Sequence, residues 1–399
     1  MTTHVNTRDE LLSRILGRSE SLFQRDIAKS KARLHQAVAG KRLLIAGAAG
    51  SIGSAFVKAV VEYGPAAIHL VDIDENGLVE TTRDFRSSSQ PGSIDFRTVT
   101  LDLTGDEFSR FAGSNKPYDV FANFAALKHV RAERDVFSLL RMIQVNVTGL
   151  DSVLAASKQY GFRRVFSVST DKSVRPANLM GATKNLMEKV LFSRPGEFTA
   201  TSARFANVAF SAGSLLDGFE RRLAKGQPLV GPSDVRRYFI SHEEAAQLCL
   251  LACFLGEDRA VLFPKLDATR HLMSFPEIAG ALLSSLGLKP FACTSEADLH
   301  RPPPPGHWPC YFAPSDTSGE KPEEEFFRID DVVDLGTFDA VGVAHEAVTA
   351  RETIDAFVAT IAAIRARPTW RKEDVQAAIL TAVPELDHIE RGRDLDQKM

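Results

Sequence analysis

A doubly wound α/β fold built on a parallel sheet is what this 399-residue sequence predicts, and three observations predict it. Short apolar runs alternate with amphipathic helical stretches from Lys41 to Asn207, a glycine-rich turn follows the first run, and an aspartate closes the second. The composition fits: 44% hydrophobic and 25% charged residues describe an ordinary globular chain, long enough for two or three domains. A net charge of −3 offers no basic excess to nucleic acid or an acidic membrane, so any anion has to be held by a local site. Four cysteines, none in a CxxC pair, exclude a disulfide framework and structural zinc. Cys249 and Cys253 have the spacing to chelate a metal, but among Leu248, Leu250, Leu251 and Phe254 they read as core thiols, and no metal site is expected. The longest apolar stretch, Ala245 to Leu255, is too short to span a bilayer, and the opening residues lack the form of a signal peptide. A soluble cytoplasmic protein is expected.

Taken in order, residues 8–38 carry two helical stripes, Leu11, Leu12, Ile15 and Leu16, then Phe23, Ile27, Leu34 and Val38, with a break near Gly17 and Ser19. This extension reads as an added cap, an oligomer contact, or a helix packed on its own domain. Strands are expected at Arg42–Ala46, Ala67–Ile73, Phe96–Leu103, Asp119–Ala125, Arg164–Thr170 and Thr199–Asn207. Helices at Ser54–Tyr63, Arg141–Tyr160 and Gly181–Phe192 fall between them. Beyond Asn207 the alternation weakens into helices at Ser214–Lys225, Glu243–Leu255 and Phe275–Leu286. The RPPPP run at Arg301–Pro305 is confined to an extended surface connection. A helix over Ala344–Ala366 and a final stripe of Val375, Ile379, Leu380 and Val383 complete the chain. The divisions expected are 1–40, 41–210, 211–343 and 344–399.

The first strand runs into Gly47-Ala-Ala-Gly50-Ser-Ile-Gly53, a GxxGxxG spacing between strand and helix. Glycines there permit a tight turn and close backbone approach to a pyrophosphate at a helix N-terminus. Asp72 ends the second strand 19 residues after Gly53, where a carboxylate accepts from a ribose 2′-hydroxyl and repels a 2′-phosphate. The pattern makes 41–210 a Rossmann domain for NAD. Asp102 is placed to meet the adenine edge or to cap its own loop. Ser51 and Ile52 in the glycine turn, with Leu103 and Ala125 at strand ends, complete the expected cofactor contacts.

Ser169-Thr170-Asp171-Lys172 closes the fifth strand, and Met180 and Lys184 follow one helical turn apart. A thioether transfers no proton, so either this helix supports no acid/base chemistry or the role moves elsewhere, for which Asp171 and Lys172 are available. STDKSVRPANLMGATK resembles the signature of bacterial nucleotide-sugar 4,6-dehydratases, extended short-chain dehydrogenase/reductases that act on UDP-N-acetylglucosamine for surface polysaccharides. GAAGSIGS, NFAALKHV, VNVTG, SARFANVAFSAGS, RRYF and SGEKPEEEF extend the likeness over about Lys41–Phe327. The superfamily has Tyr where this chain has Met180, and a subset of the dehydratases carries Met. Leu127 replaces the commoner Tyr of AAYKHV.

The resemblance implies an NAD-dependent 4,6-dehydratase in which Lys172 is the C5 base and Asp171 the C6 acid. Without the Tyr, Asp171 also takes the C4 hydroxyl proton. Thr170 bonds O4, Met180 shapes the pocket and Lys184 holds the nicotinamide ribose. It also implies contacts to a UDP-hexosamine from Lys128, His129, Asn207, Ser214, Arg237 and Lys321 in and around the 211–343 substrate region. On residue type alone, Lys128 and His129 serve equally as a solvated pair, and Asn207 as a turn cap. Glu323–Glu325 reads most simply as a solvated face. Homo-oligomers through helices flanking the sheet are expected. The competing readings are a sugar-nucleotide epimerase on the same scaffold and a non-catalytic binder of NAD or nucleotide sugar.

Overall fold

The computed structural model describes residues 10–87, 94–267, 272–315 and 324–388. Six strands of the expected alternation form its centre: β1 (Arg42–Ala46), β2 (Ala67–Asp72), β3 (Asp95–Thr100), β4 (Val120–Asn123), β5 (Arg164–Val168) and β6 (Thr199–Ala203). The later chain adds β7 (Asn207–Val208), β8 (Leu229–Pro232), β9 (Arg236–Ile240), β10 (Ala260–Pro264), β11 (Leu272–Ser274), β12 (Lys289–Ala292), β13 (His307–Ala313), β14 (Val332–Asp334) and β15 (Val341–His345). The main sheet runs β14-β15-β10-β6-β5-β4-β1-β2-β3. Its pairs are parallel from β3 to β10, and β15 and β14 close that edge antiparallel. Leu43, Leu44 and Ile45 have no exposure, as befits a strand covered on both faces. Strand order reverses between β1 and β4, so the crevice beyond their carboxyl ends is the switch point where such sheets take ligands.

Three sequence expectations need correction. The strand expected at Thr199–Asn207 breaks after Ala203 and resumes as β7, which pairs with β9 in a small sheet of order β11-β9-β7. The helix expected from Ala344 begins at Arg351; Ala344 and His345 are instead the end of the strand Val341–His345, paired along β10. Runs this short do not separate strand from buried helix by periodicity. The boundary at 210 therefore marks where the alternation ceases to be legible, because β10, β14 and β15 lie beyond it and complete the same sheet.

The added helices pack on this chain. Leu11, Ile15 and Leu16 join a cluster with Phe219, Phe239 and Ile278, while Phe23, Leu34 and Val38 enter the core beneath β1. Gly17, at φ +68°, makes the break between them. Helices Arg351–Arg365 and Lys372–Ala382 lay Phe357, Ile361, Val375 and Ile379 against Leu139, Leu186 and Val190. They cover, from within the chain, a flank on which oligomer contacts are expected. Leu380, placed on that stripe by spacing, is 51% exposed. Cys249 and Cys253 are fully buried, and no helix among the described residues is long and apolar enough to cross a membrane.

Candidate active site

The glycine turn opens directly after β1. Gly47 adopts φ +73°, and a Cβ there would lie 2.2 Å from the Ala125 nitrogen; a Cβ on Gly53 would lie 2.2 Å from the Gly47 carbonyl. These two glycines are demanded by the fold itself. Gly50 differs, because its Cβ would meet nothing closer than 3.5 Å. A side chain there would make only ordinary contact, so packing alone does not demand glycine at this N-cap of helix Ser51–Val61. Asp72 faces this turn: its Oδ2 accepts from the Ala49 amide at 2.8 Å and its Oδ1 from the Asp74 amide at 3.0 Å. Ser51 Oγ accepts from the Ala212 amide at 3.1 Å, and Ile52 packs beside the core below.

Asp102 caps its loop, accepting from the Thr104 amide at 2.9 Å and pairing with Arg141. Burial pulls its carboxyl up, but the bonds from Thr104 and Arg141 outweigh that and hold it low. Of the two roles open to Asp102, the loop cap is the one these contacts make. Leu103 beside it is buried. Ala125 donates to Asn123 Oδ1 at 3.1 Å.

Asn146, buried in a π-turn at Gln144–Thr148 within the expected long helix, is a site residue absent from the sequence-based expectations. Its Oδ1 accepts from the Leu127 amide, and its Nδ2 donates to the Leu127 carbonyl and to Thr183 Oγ1, all at 2.9 Å. One side chain thus ties the loop after β4 to the helix Leu179–Leu191. Such π-turns favour functional positions, and Asn146 sits in the quoted VNVTG segment.

After β5 the chain makes a 3₁₀ turn at Asp171–Ser173, with Thr170 as its N-cap. Asp171 is 4% exposed; Thr170 Oγ1 donates to its Oδ1 at 2.7 Å and Lys172 Nζ at 3.2 Å. The Lys172 side chain keeps 33% exposure, so unlike Asp171 it is not enclosed. Helix Leu179–Leu191 presses on this turn: a Cβ on Gly181 would lie 2.3 Å from the Lys172 carbonyl oxygen. Met180 is 3% exposed, its amide donating to Glu133 Oε1 at 2.6 Å. Lys184 Nζ donates to the Val168 carbonyl at 2.7 Å, and burial, opposed by Glu188, pushes its amine down to about 8. Beneath lies a buried network in which Glu188 accepts from Ser173 at 2.9 Å and from Arg204 at 2.6 Å. Arg204 also donates to Glu346 at 2.6 Å and to the Phe326 carbonyl at 3.0 Å. That bond fastens the 324–328 segment across the cleft.

The expected substrate contacts fall into two groups. Lys128 and His129 stand at the mouth beside the 211–214 turn, where the His129 ring takes the space a Gly213 Cβ would fill. Though both reach solvent, partial burial pulls both below their usual values; Asp217 opposes this at Lys128, and Lys128 and Arg131 add to it at His129. Ser214 caps helix Leu215–Ala224 by accepting from the Asp217 amide at 3.2 Å. Asn207 and Arg237 form the second group, on the neighbouring strands β7 and β9. Lys321 lies outside the described residues.

Of Glu323–Glu325, read as a solvated face, Glu323 lies outside the described residues, and the reading is corrected at Glu324. Its side chain is 3% exposed, Oε1 accepts from Asn207 Nδ2 at 2.7 Å, and Oε2 accepts from the Tyr238 amide at 2.8 Å. Arg237 Nε stands 3.9 Å from Oε1. Glu325 pairs with Arg175. Among the described residues no group of three His, Cys, Asp or Glu could hold a metal ion.

The chain is similar to several known proteins. It is 30% identical over 256 residues to an uncharacterised membrane protein of Methanocaldococcus jannaschii, covering 63% of this chain and 74% of that one. Identity is 31% over 244 residues to the capsular polysaccharide biosynthesis protein CapD of Staphylococcus aureus, covering 60% of this chain but only 40% of CapD. An inverting UDP-N-acetylglucosamine 4,6-dehydratase of Campylobacter jejuni is 28% identical over 271 residues, covering 65% and 76%. The fold is shared with Pen from Bacillus thuringiensis, at TM-score 0.64 and 20% identity over 79% of this chain and 90% of that one. It is also shared with a UDP-N-acetylglucosamine 4-epimerase of Methanobrevibacter ruminantium, at TM-score 0.54 and 18% identity over 73% and 91%. The family model described as "Polysaccharide biosynthesis protein" matches residues 43–297, more than half of the sequence, and the chain belongs to that family.

Proposed function

We propose that this chain is an NAD-dependent nucleotide-sugar 4,6-dehydratase, acting on UDP-N-acetylglucosamine or a close relative for surface polysaccharide synthesis. The observation that carries the reading is the Thr170-Asp171-Lys172 turn, pressed by Gly181 against the helix that presents Met180 and Lys184. An epimerase working at C4 has no need of a separate C5 base and C6 acid.

The residues present fit NAD. Gly50, not demanded by packing, allows a pyrophosphate close to the backbone at a helix N-terminus, Asp72 offers carboxylate oxygens to a ribose, and Lys184 holds an amine near the end of β5. When bound there, NAD supplies hydride acceptance at sugar C4 and hydride return at C6. The protein moves the protons. Thr170 Oγ1 orients O4, and Asp171 takes the O4 proton as C4 is oxidised. The new C4 carbonyl acidifies C5, where Lys172 removes the proton. The C5–H electron pair forms the C5=C6 bond, the C6–O bond breaks, and Asp171 passes its proton to the leaving hydroxyl as water. Lys172 then returns its proton to C5 as C6 is reduced. Asp171 ends as it began.

Incubation with UDP-N-acetylglucosamine should give a product lighter by one water in the mass spectrum. An isomer of unchanged mass would favour the epimerase, and no conversion a binding protein. Because Asp72 repels a 2′-phosphate, dinucleotide released on denaturation should be NAD(H); mainly NADP(H) would reject that role for Asp72. Gly181→Ala forces the Lys172 carbonyl away from its present position. Turnover should fall roughly 10²-fold, the scale of a misplacement near 1 Å, with NAD content retained. Wild-type turnover in that variant would show that the close contact does not set the Lys172 position.

A further inference from the structure

Glu324 is a buried carboxyl beside Asp171 and Lys172 that the proton transfers above do not use. Its two oxygens are taken up by groups from two strands, the Asn207 amide on β7 and the Tyr238 backbone on β9, with the Arg237 guanidinium beside them. The segment that carries it is pinned from below by the Arg204 bond to the Phe326 carbonyl. Asp171, whose amide donates to the Phe205 carbonyl two residues before Asn207, is its anionic neighbour. Among the described residues, Lys172 is a cationic neighbour besides Arg237.

We propose that Glu324 is a positioning residue and a proton-operated gate of an anion subsite: neutral, it orients Asn207 and leaves the Arg237 charge to a nucleoside diphosphate; ionised, it neutralises Arg237 and repels that ligand. The proposal rests on the nucleotide-sugar reading for the identity of the anion. Burial and the Asp171 charge push the Glu324 carboxyl up to about 8, against the pull of Lys172, the Tyr238 amide and Arg237. At neutral pH the gate is open. An anion bound beside it favours the protonated form further, so binding and protonation reinforce one another.

The test uses UDP alone as the probe, on the full chain, by calorimetric titration from pH 7.5 to 9.5. Wild type is compared with Glu324→Gln, which resembles the neutral carboxyl, and with Glu324→Asp, which keeps an ionisable group. Lysine titration weakens anion binding in all three, so the informative quantity is the ratio of dissociation constants. Wild type over Glu324→Gln should widen to about tenfold by pH 9, as one ionisation with a midpoint near 8 requires, whereas Glu324→Asp should keep a pH-dependent loss of its own. Parallel profiles for wild type and Glu324→Gln, with melting temperatures matched, overturn the gate. A merely structural glutamate would shift affinity equally at every pH. Failure of wild type to bind UDP at any pH overturns the nucleotide reading together with the gate, a result distinct from parallel profiles. If Glu324→Gln fails to fold, wild type labelled with ¹³C at glutamate carboxyls decides. A resonance titrating near 8 that moves down in Asp171→Asn supports the gate, and none titrating above 6 overturns it.

Discussion

Asp171→Asn should lose roughly 10²-fold or more in turnover while its NAD content and melting temperature stay near wild type, the usual scale for removing a general acid–base group. The substitution keeps the shape of a side chain that is 4% exposed, and Thr170 can still donate to the remaining carbonyl oxygen. What disappears is the ionisable group proposed to accept the O4 proton and deliver it to the departing C6 hydroxyl. Met180→Leu is the matched contrast. Met180 occupies the tyrosine position of the superfamily, yet its thioether carries no proton, and its fixed contact is a backbone bond to Glu133 that leucine leaves in place. Turnover within about tenfold of wild type is expected, because the swap nearly conserves volume. Steady-state rates of the two variants, with bound NAD measured, separate a proton carrier from a packing residue. A dead Met180→Leu beside an active Asp171→Asn overturns the mechanism at its centre.

Lys172→Ala should abolish water loss and, with it, exchange of the C5 hydrogen for solvent deuterium, leaving NAD bound. The amine is suited to this step by its position. It pairs with Asp171 at 3.2 Å yet keeps a third of its side chain exposed, whereas Lys184 is enclosed and donates to a backbone carbonyl. The two lysines therefore fail differently. Loss of Lys172 removes a proton acceptor; loss of Lys184 removes a cation from the expected ribose site and should empty the enzyme of cofactor. Mass spectrometry after incubation in deuterated water reads the first effect, and dinucleotide released on denaturation reads the second. Deuterium entry at the wild-type rate in Lys172→Ala assigns the C5 base elsewhere.

Residues near one another in the chain made the central architecture legible from sequence. Strand-length apolar runs alternating with helical stripes gave β1 to β6, the glycine spacing placed the turn after β1, and Thr170 to Lys184 marked the turn and helix that carry the candidate chemistry. Each signal spans fewer than 20 residues, so periodicity and motif spacing capture it. Tertiary structure decided what depends on distant partners. Val341–His345 becomes strand because β10 offers it an edge, and the flank of Leu179–Leu191 is covered because helices from beyond residue 350 reach it. The role of Asn146 lies in the loop after β4, which hangs on its two bonds to Leu127. Glu324 is the sharpest case: three consecutive glutamates read as solvated, since an ionised carboxylate is costly to bury without partners. Asn207 and the Tyr238 amide, 117 and 86 positions away, supply those partners. No local pattern encodes that arrangement; it exists only where β7 and β9 are brought beneath the returning chain.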